Sequence, residues 1–407
     1  MESEGAMFIL KKMACRILQI GFRVVLPVLP YREPKIVGSC QDLAGILEKE
    51  RISSLLVVTD EGIVKNGVLA PLEKVLKQSR VKYAIYDKTR ANPTIENVEE
   101  ALMLYRQNAS DALIAIGGGS PIDCAKAVGA RVVYPKRPTR KMGGVLRILR
   151  RLPTLIAIPT TAGTGSETTL AAVITDERSR HKYALMSFPL IPHYAVLDAS
   201  LTYTLPPQMT ATTGIDALTH AVEAYIGRST TKETRRLALN ATRLVFENLE
   251  RAYADGYDRE ARENMLRAAY QAGLAFSKSY VGYIHAIAHS LGGRYGTPHG
   301  LANAVIMPYV LEAYGKSAYR KLHRLGIAAG LCDRNESHQE GARRFIEAIR
   351  SLERKLDIPT TLSGIKREDI PLLARHAEKE ANPLYPVPKL MTQKELESLY
   401  YSVGGLA

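Results

Sequence analysis

The chain has 407 residues, 46% hydrophobic and 24% charged, which allows two domains or one large one with an ample core. It shows no low-complexity tract or internal repeat that would signal disorder or a solenoid. Four scattered cysteines (Cys15, Cys40, Cys124, Cys332) form no CxxC pair, which argues against a disulfide framework and fits the reducing cytoplasm. Lys and Arg outnumber Asp and Glu by 14, a balance that suits anionic partners and says nothing about the fold.

Residues 1–37 contain "KKMACRILQIGFRVVLPVLPYREP", an apolar stretch interrupted by Lys11, Lys12, Arg16, Arg23 and Pro27. These breaks leave it too short to span a bilayer, and no small-residue cleavage site follows it. It reads as a basic, apolar N-terminal arm packed on the protein. From 38 to 205, short apolar runs alternate with helical spacing. "SSLLVVTD", "KYAIYD", "ALIAIGGGS", "TLIAIPTTAGTGS" and "YAVLDA" read as strands, with segments such as "PTIENVEEALMLYRQ" between them. Such alternation predicts an α/β domain with a parallel sheet covered by helices.

Within that stretch, "PKRPTRKMGGVLRILRRLP" carries Lys136, Arg137, Arg140, Lys141, Arg147, Arg150 and Arg151 and no acid. Val145, Leu146, Ile148 and Leu149 predict the apolar face of a short basic helix on a solvated surface. This segment (136–151) and the N-terminal arm are the two places suited to an anionic membrane surface, although the solvated reading is preferred. No nucleic-acid motif accompanies either, so no nucleic-acid partner is expected. After "LPPQ" near residue 206 the strand signals stop. Stretches such as "ETRRLALNATRLVFENLERAYA" and "EGARRFIEAIRSLERKL" predict an all-helical domain over 206–407.

Ligands of open α/β sheets bind at the carboxyl ends of the strands. The first strand there ends in Asp60, placed to accept a hydrogen bond from a ribose hydroxyl. "IGGGSPIDCAKAVG" runs from a strand through Gly117, Gly118 and Gly119 into a helix opened near Pro121. Glycines let backbone approach a phosphate, and a helix N-terminus offers free N–H groups to an anion. "IPTTAGTGSETT" adds the hydroxyls of Thr160, Thr161, Thr164 and Ser166. Asp60 precedes the glycines, so this is not the GxGxxG arrangement, in which the acid follows.

In the helical half, "TGIDALTHAVEAY" sets Asp216 and His220 four residues apart, on one helix face. "YIHAIAHSLGGRYGTPHG" gives His285 and His289 the same spacing and adds His299. One carboxylate with several imidazoles and no thiolate suits Fe(II), Zn(II) or a related divalent ion. Five candidates exceed four ligands, so one of them is free for other work, such as moving a proton.

"GGGSPIDCAKAV", "PTTAGTGSETT", "GIDALTHAVEAY" and "HAIAHSLGGRYGTPHGLANAV" resemble the signatures of the iron-containing (group III) alcohol dehydrogenase family, in the family's order, from about residue 38 to the end. The resemblance implies a Rossmann-like dinucleotide-binding domain and an all-helical metal domain. It implies an NAD(H)-dependent oxidoreductase interconverting a small primary alcohol and its aldehyde by hydride transfer, with the metal activating the substrate oxygen. It assigns the metal, Fe(II) or alternatively Zn(II), to Asp216, His220, His285 and His299, and leaves His289 as a catalytic proton-relay group. It sets Asp60 at the adenosine ribose, where a carboxylate favours NAD over NADP. Asn92, Gly118, Gly119, Ser120, Asp123, Thr160, Thr161, Thr164, Val173 and Lys182 fall at or near positions lining the cofactor cleft, and Phe276 in the substrate pocket. A homodimer is expected on the same ground.

After Phe276, Lys278 and Tyr280 stand where many members have Asn and a small residue, adding bulk and charge. The N-terminal arm lies outside the resemblance. The alternatives are a glycerol or polyol dehydrogenase, a dehydroquinate-synthase-like lyase, or a basic membrane- or nucleic-acid-associated binding protein with a structural metal.

Overall fold

A computed structural model describes residues 2–25, 28–178 and 181–406. The chain forms two compact units, one over Pro30–Leu205 and one joining Met1–Leu29 to Pro206–Ala407. In chain order the elements are α1 (Glu2–Val25), β1 (Lys35–Val37), α2 (Leu43–Lys49), β2 (Ser54–Val58), α3 (Glu61–Lys65), α4 (Ala70–Gln78), β3 (Lys82–Tyr86), α5 (Ile95–Gln107), β4 (Ala112–Gly117) and α6 (Gly119–Val133). Then come β5 (Gly144–Val145), β6 (Thr154–Pro159), β7 (Ala171–Asp176), β8 (His181–Met186) and β9 (Tyr194–Val196). The helical unit continues with α7 (Pro207–Ile226), α8 (Lys232–Ala254), α9 (Arg259–Ser279), α10 (Tyr283–Tyr295), α11 (His299–Tyr314), α12 (Tyr319–Ala328), α13 (His338–Lys355), α14 (Ile370–Ala381) and α15 (Gln393–Val403).

The five expected strands lie in one six-stranded sheet of order β1-β9-β6-β4-β2-β3, with every neighbouring pair parallel. Both faces of this sheet are covered, which is why its central strands are unbroken apolar runs. Side chains still alternate between faces. Leu56, Val58, Leu113 and Ala115 enter one core, while Leu55, Val57, Ile114 and Ile116 enter the other. Local chemistry starts the helices: Thr94 and Asn97 form a capping box on α5, as Thr231 and Thr234 do on α8.

Three features depart from the sequence reading. The basic segment after Lys136 forms no α-helix, only a 3-10 turn at Thr139–Lys141. Gly144 and Leu146 adopt φ of +107° and +54°, and Gly144–Val145 pairs with β8 while the Leu146 N–H donates to the Met186 carbonyl at 2.7 Å. Of its four apolar residues only Ile148 is buried, so no common face exists. The β7–β8 hairpin, antiparallel from Ala171↔Met186 to Asp176↔His181, completes a second, three-stranded sheet that the alternation of apolar runs did not reveal. Residues 1–37, read as one arm, divide: Lys35–Val37 is an edge strand, whereas Glu2–Val25 is a helix within the helical unit. Among the described residues no helix is long and apolar enough to cross a membrane.

Candidate metal centre and nucleotide loops

The helical unit brings the metal-binding candidates together from three helices. Asp216 and His220 lie one turn apart on α7, His285 is in the first turn of α10, and His299 is the first residue of α11. Asp216, His220 and His285 are buried, and a ligand atom from each falls within 4.8 Å of the others. Asp216 Oδ1 lies 3.9 Å from His285 Nε2 and 3.6 Å from the more exposed His299 Nε2. Bonds of about 2.0–2.2 Å to an ion of this class set neighbouring ligand atoms about 3.3 Å apart, so small inward movements of these side chains enclose one. Burial and the neighbouring imidazoles of His220, His299 and His289 hold His285 well below the usual imidazole pKa, keeping it in the neutral form a ligand needs. The residues fit a divalent cation.

Two supporting residues escaped the sequence reading. Glu223, one more turn along α7, accepts the His285 Nδ1–H at 2.6 Å and the backbone N–H groups of Gly282 and Ile284, each at 2.8 Å. It thereby caps α10 and turns His285 Nε2 toward Asp216, the outer-sphere role that fixes the tautomer of a metal-binding histidine. Burial raises the Glu223 carboxyl to about 8, against the pull of the backbone N–H groups of Gly282, Ile284 and His285 and of the nearby His289. A side chain on Gly282 would meet Glu223 Oε1 at 2.6 Å, so any larger residue there would push Glu223 off its donors. Asn303, one turn beyond His299, brings its fully buried amide nitrogen to 2.7 Å from Asp216 Oδ1, 3.0 Å from His299 Nε2 and 3.3 Å from His285 Nε2. Their spacing was the available signal: i+7 from Asp216 and i+4 from His299.

His289 stands apart from the buried three. Its ring stacks 5.2 Å from that of His299, and its Nδ1 pairs with Glu380 Oε1 at 2.6 Å. Glu380 also accepts from the Tyr385 hydroxyl at 2.8 Å. Burial pushes Glu380 up, but His289 and Tyr385 outweigh that and leave its pKa lowered. Nothing in the local sequence marks Glu380, which is contributed by α14, 91 residues beyond His289. Phe276 stacks on His220 with centroids 4.1 Å apart. The Lys278 ammonium pairs with Glu233 at 3.0 Å, and Tyr280 ends α9 at φ +64°.

The α/β unit gathers its own cluster at the carboxyl ends of β2, β4 and β6. Gly117 has φ +146°, and a Cβ there would lie 2.7 Å from Pro121, so only glycine allows the chain to pass directly into α6. Gly118 and Gly119 face Thr161 and Thr164, and Asp60 Oδ2 sits beside Gly117. Asp60 Oδ1 caps α3 by accepting from the Ile63 N–H at 3.0 Å. Asn92 links Ser120 to Lys182, accepting from the lysine at 2.9 Å. Asp123 uses both oxygens structurally, accepting from Ser166 Oγ at 2.7 Å and the Val173 N–H at 2.9 Å. Thr160 continues the strand end, its N–H donating to the Gly117 carbonyl at 3.0 Å. Beneath these loops the fully buried Lys126 donates to Ser166, Thr169 and Ala171; burial lowers its pKa to about 8. The buried Thr161 Oγ1 has no hydrogen-bond partner among the described residues. An unsatisfied hydroxyl beside a glycine cradle and a helix N-terminus fits the phosphates of a dinucleotide.

Comparison with known proteins agrees. The model of "iron-containing alcohol dehydrogenase" matches residues 36–199, and that of "Fe-containing alcohol dehydrogenase family, C-terminal" matches 210–404. The chain is 38% identical to alcohol dehydrogenase 4 of Saccharomyces cerevisiae over 348 residues, covering 84% of this chain and 89% of that protein. The crystal structure of a 1,3-propanediol oxidoreductase superposes with a TM-score of 0.88 at 32% identity, over 92% of this chain and 99% of that one. Sulfoacetaldehyde reductase from Bifidobacterium kashiwanohense, solved in complex with NAD+, superposes with a TM-score of 0.82 at 26% identity, over 93% and 99%. Signature motifs, sheet topology and matches to both halves of the chain lead to one statement: it belongs to the iron-containing alcohol dehydrogenase family.

Proposed function

We propose that the protein interconverts a small primary alcohol and its aldehyde with NAD(H), using a divalent cation held by Asp216, His220, His285 and His299. The observation that carries this reading is the buried convergence of Asp216, His220 and His285, with Glu223 orienting the last. A bound cation supplies Lewis-acid polarisation of the substrate oxygen, and the dinucleotide supplies or accepts the hydride. The rest falls to the chain's own side chains. Asn303 and Glu223 hold the ligands convergent before any ion enters. Phe276, stacked on His220, offers an apolar wall to a short carbon chain. His289, paired through Nδ1 with Glu380, is the imidazole that exchanges a proton with the substrate side or water. In the α/β unit, the Gly117–Gly119 turn and Thr160, Thr161 and Thr164 cradle the phosphates. Asn92, Ser120 and Lys182 form one edge of that cradle, and Asp123 and Val173 brace it.

The four cysteines are free thiols, which suits the cytoplasm, and the homodimer expected from the family resemblance is retained in this reading. The test is NADH oxidation with a panel of short aldehydes, by metal-stripped protein reloaded anaerobically with Fe(II) or Zn(II). Turnover that returns with Fe(II) supports the reading; NADH binding without turnover under either ion overturns it.

Two substitutions separate the roles. His289→Ala is expected to retain its metal while kcat falls roughly 100- to 10,000-fold. Metal analysis beside steady-state kinetics checks this, and loss of the ion would return His289 to the ligand set. Asp60→Gly is expected to narrow the preference for NAD over NADP by about tenfold or more, because a carboxylate there repels a 2′-phosphate. Comparing kcat/KM for the two coenzymes decides it; an unchanged ratio would leave Asp60 as only the cap of α3.

A further inference from the structure

Helix α1 lies outside the residues that match the family, and its amphipathic pattern faces the wrong way for a packed helix. A surface helix ordinarily buries its apolar stripe and exposes its polar one. Here the polar edge is turned inward. Arg16 donates to the carbonyls of Val387 at 2.8 Å and Pro388 at 3.1 Å, and Gln19 donates to those of Tyr385 at 2.9 Å and Pro383 at 3.1 Å. Cys15 and Gln19 are buried. Burial, together with the nearby Arg228, lowers the pKa of Arg16 to about 10. These contacts fix which way the helix faces.

The stripe left outside is Met13, Ile17, Ile20 and Val24, exposed by 57%, 68%, 63% and 71%. Their spacing of 4, 3 and 4 residues aligns them along about 16 Å of one helix face. Leu18 and Val25 are exposed as well. From Gly5 to Arg32 the sequence contains no Asp or Glu, and the exposed Lys12 and Arg23 immediately precede the first and last residues of the stripe. An exposed apolar stripe bordered by cations and free of acids is complementary to the headgroup–acyl boundary of an anionic bilayer. A second copy is a poorer match, because two-fold pairing of α1 with itself sets like charges against each other. At 24 residues α1 has the length of a spanning helix, but its cations keep it from being apolar enough to cross a membrane.

We propose that α1 is an in-plane anchor that docks the protein on an anionic lipid surface through Met13, Ile17, Ile20 and Val24. The contact is peripheral and reversible, and leaves the metal centre and nucleotide loops chemically unchanged.

The test is flotation of the full-length protein with phosphatidylcholine vesicles, with and without phosphatidylglycerol. The expected result is binding to the mixed vesicles only, weakening as salt rises. Ile17→Asp/Ile20→Asp should lower the bound fraction by roughly tenfold or more, and Lys12→Glu/Arg23→Glu should abolish the anionic preference. Both pairs should keep alcohol-dependent NAD reduction; if the Asp pair loses it through misfolding, Ile17→Gln/Ile20→Gln takes its place. Absence of flotation, or flotation insensitive to these pairs, overturns the proposal. So does a stripe variant that leaves flotation unchanged but reduces the oligomer seen by light scattering, since the stripe then joins copies of the chain.

Discussion

His285→Ala protein is expected to emerge from desalting without stoichiometric metal and without measurable turnover. His285 stands at the centre of the cluster: its Nε2 faces Asp216 at 3.9 Å, its ring stacks 4.6 Å from His220, and its Nδ1 is held by Glu223. Alanine removes a proposed ligand from a buried site in which few atoms are available as substitutes. Loss of Lewis-acid stabilisation of several kcal/mol corresponds to a fall in kcat/KM of at least roughly a thousandfold. The fold should persist, since truncation here leaves the α7 and α10 backbones intact. Metal analysis with far-UV circular dichroism checks both halves of this statement. A folded His285→Ala protein that keeps one ion per chain would remove His285 from the ligand set.

Glu223→Ala is expected to weaken metal binding by roughly 10- to 100-fold, as loss of a hydrogen-bond partner behind a metal-binding histidine does elsewhere. Unlike His285→Ala, it should also lower the stability of the metal-free protein, by roughly 2–4 kcal/mol. Glu223 serves three donors at once, and its loss leaves the Gly282 and Ile284 N–H groups buried with no acceptor. Glutamine keeps one acceptor oxygen and turns its –NH2 against one of those donors, so an intermediate loss is expected. Calorimetric unfolding of apo-protein and metal titration separate the two effects. If Glu223→Ala lowered metal affinity but left apo stability untouched, its capping of α10 would carry no net energy.

The division between legible and hidden features follows from how far apart in sequence the interacting residues lie. The parallel sheet could be read because its central strands are covered on both faces and so appear as uninterrupted apolar runs. The β7–β8 hairpin could not, because Ala171–Asp176 is only partly buried and its alternation is diluted. Asp216, His220 and His285 were visible because two helical i,i+4 spacings advertise them. Glu223 and Asn303 were in the same quoted motifs and went unread, since a carboxylate or amide one turn further on resembles an ordinary helix residue. Glu380 had no local signal at all. The basic segment near Arg147 was read from its apolar spacing, and the backbone at Gly144 and Leu146 overrode it. Helix α1 reads as a packed arm from its hydrophobic content, and the structure shows that the edge it packs with is its hydrogen-bonding one, through Arg16 and Gln19.

Asp216, His220 and Glu223 occupy successive turns of one helix, two of them facing the proposed ion site and the third holding the next helix's histidine. That arrangement constrains chain length more severely than composition. A single residue inserted between Asp216 and His220 would rotate everything after it by about 100°, moving His220 and Glu223 off their partners together. Apolar neighbours such as Leu218 and Val222, which meet the core, have isosteric replacements; the spacing has none. Among descendants of this sequence, α7 can therefore drift in its apolar side chains, while insertions and deletions in its middle turns should be absent.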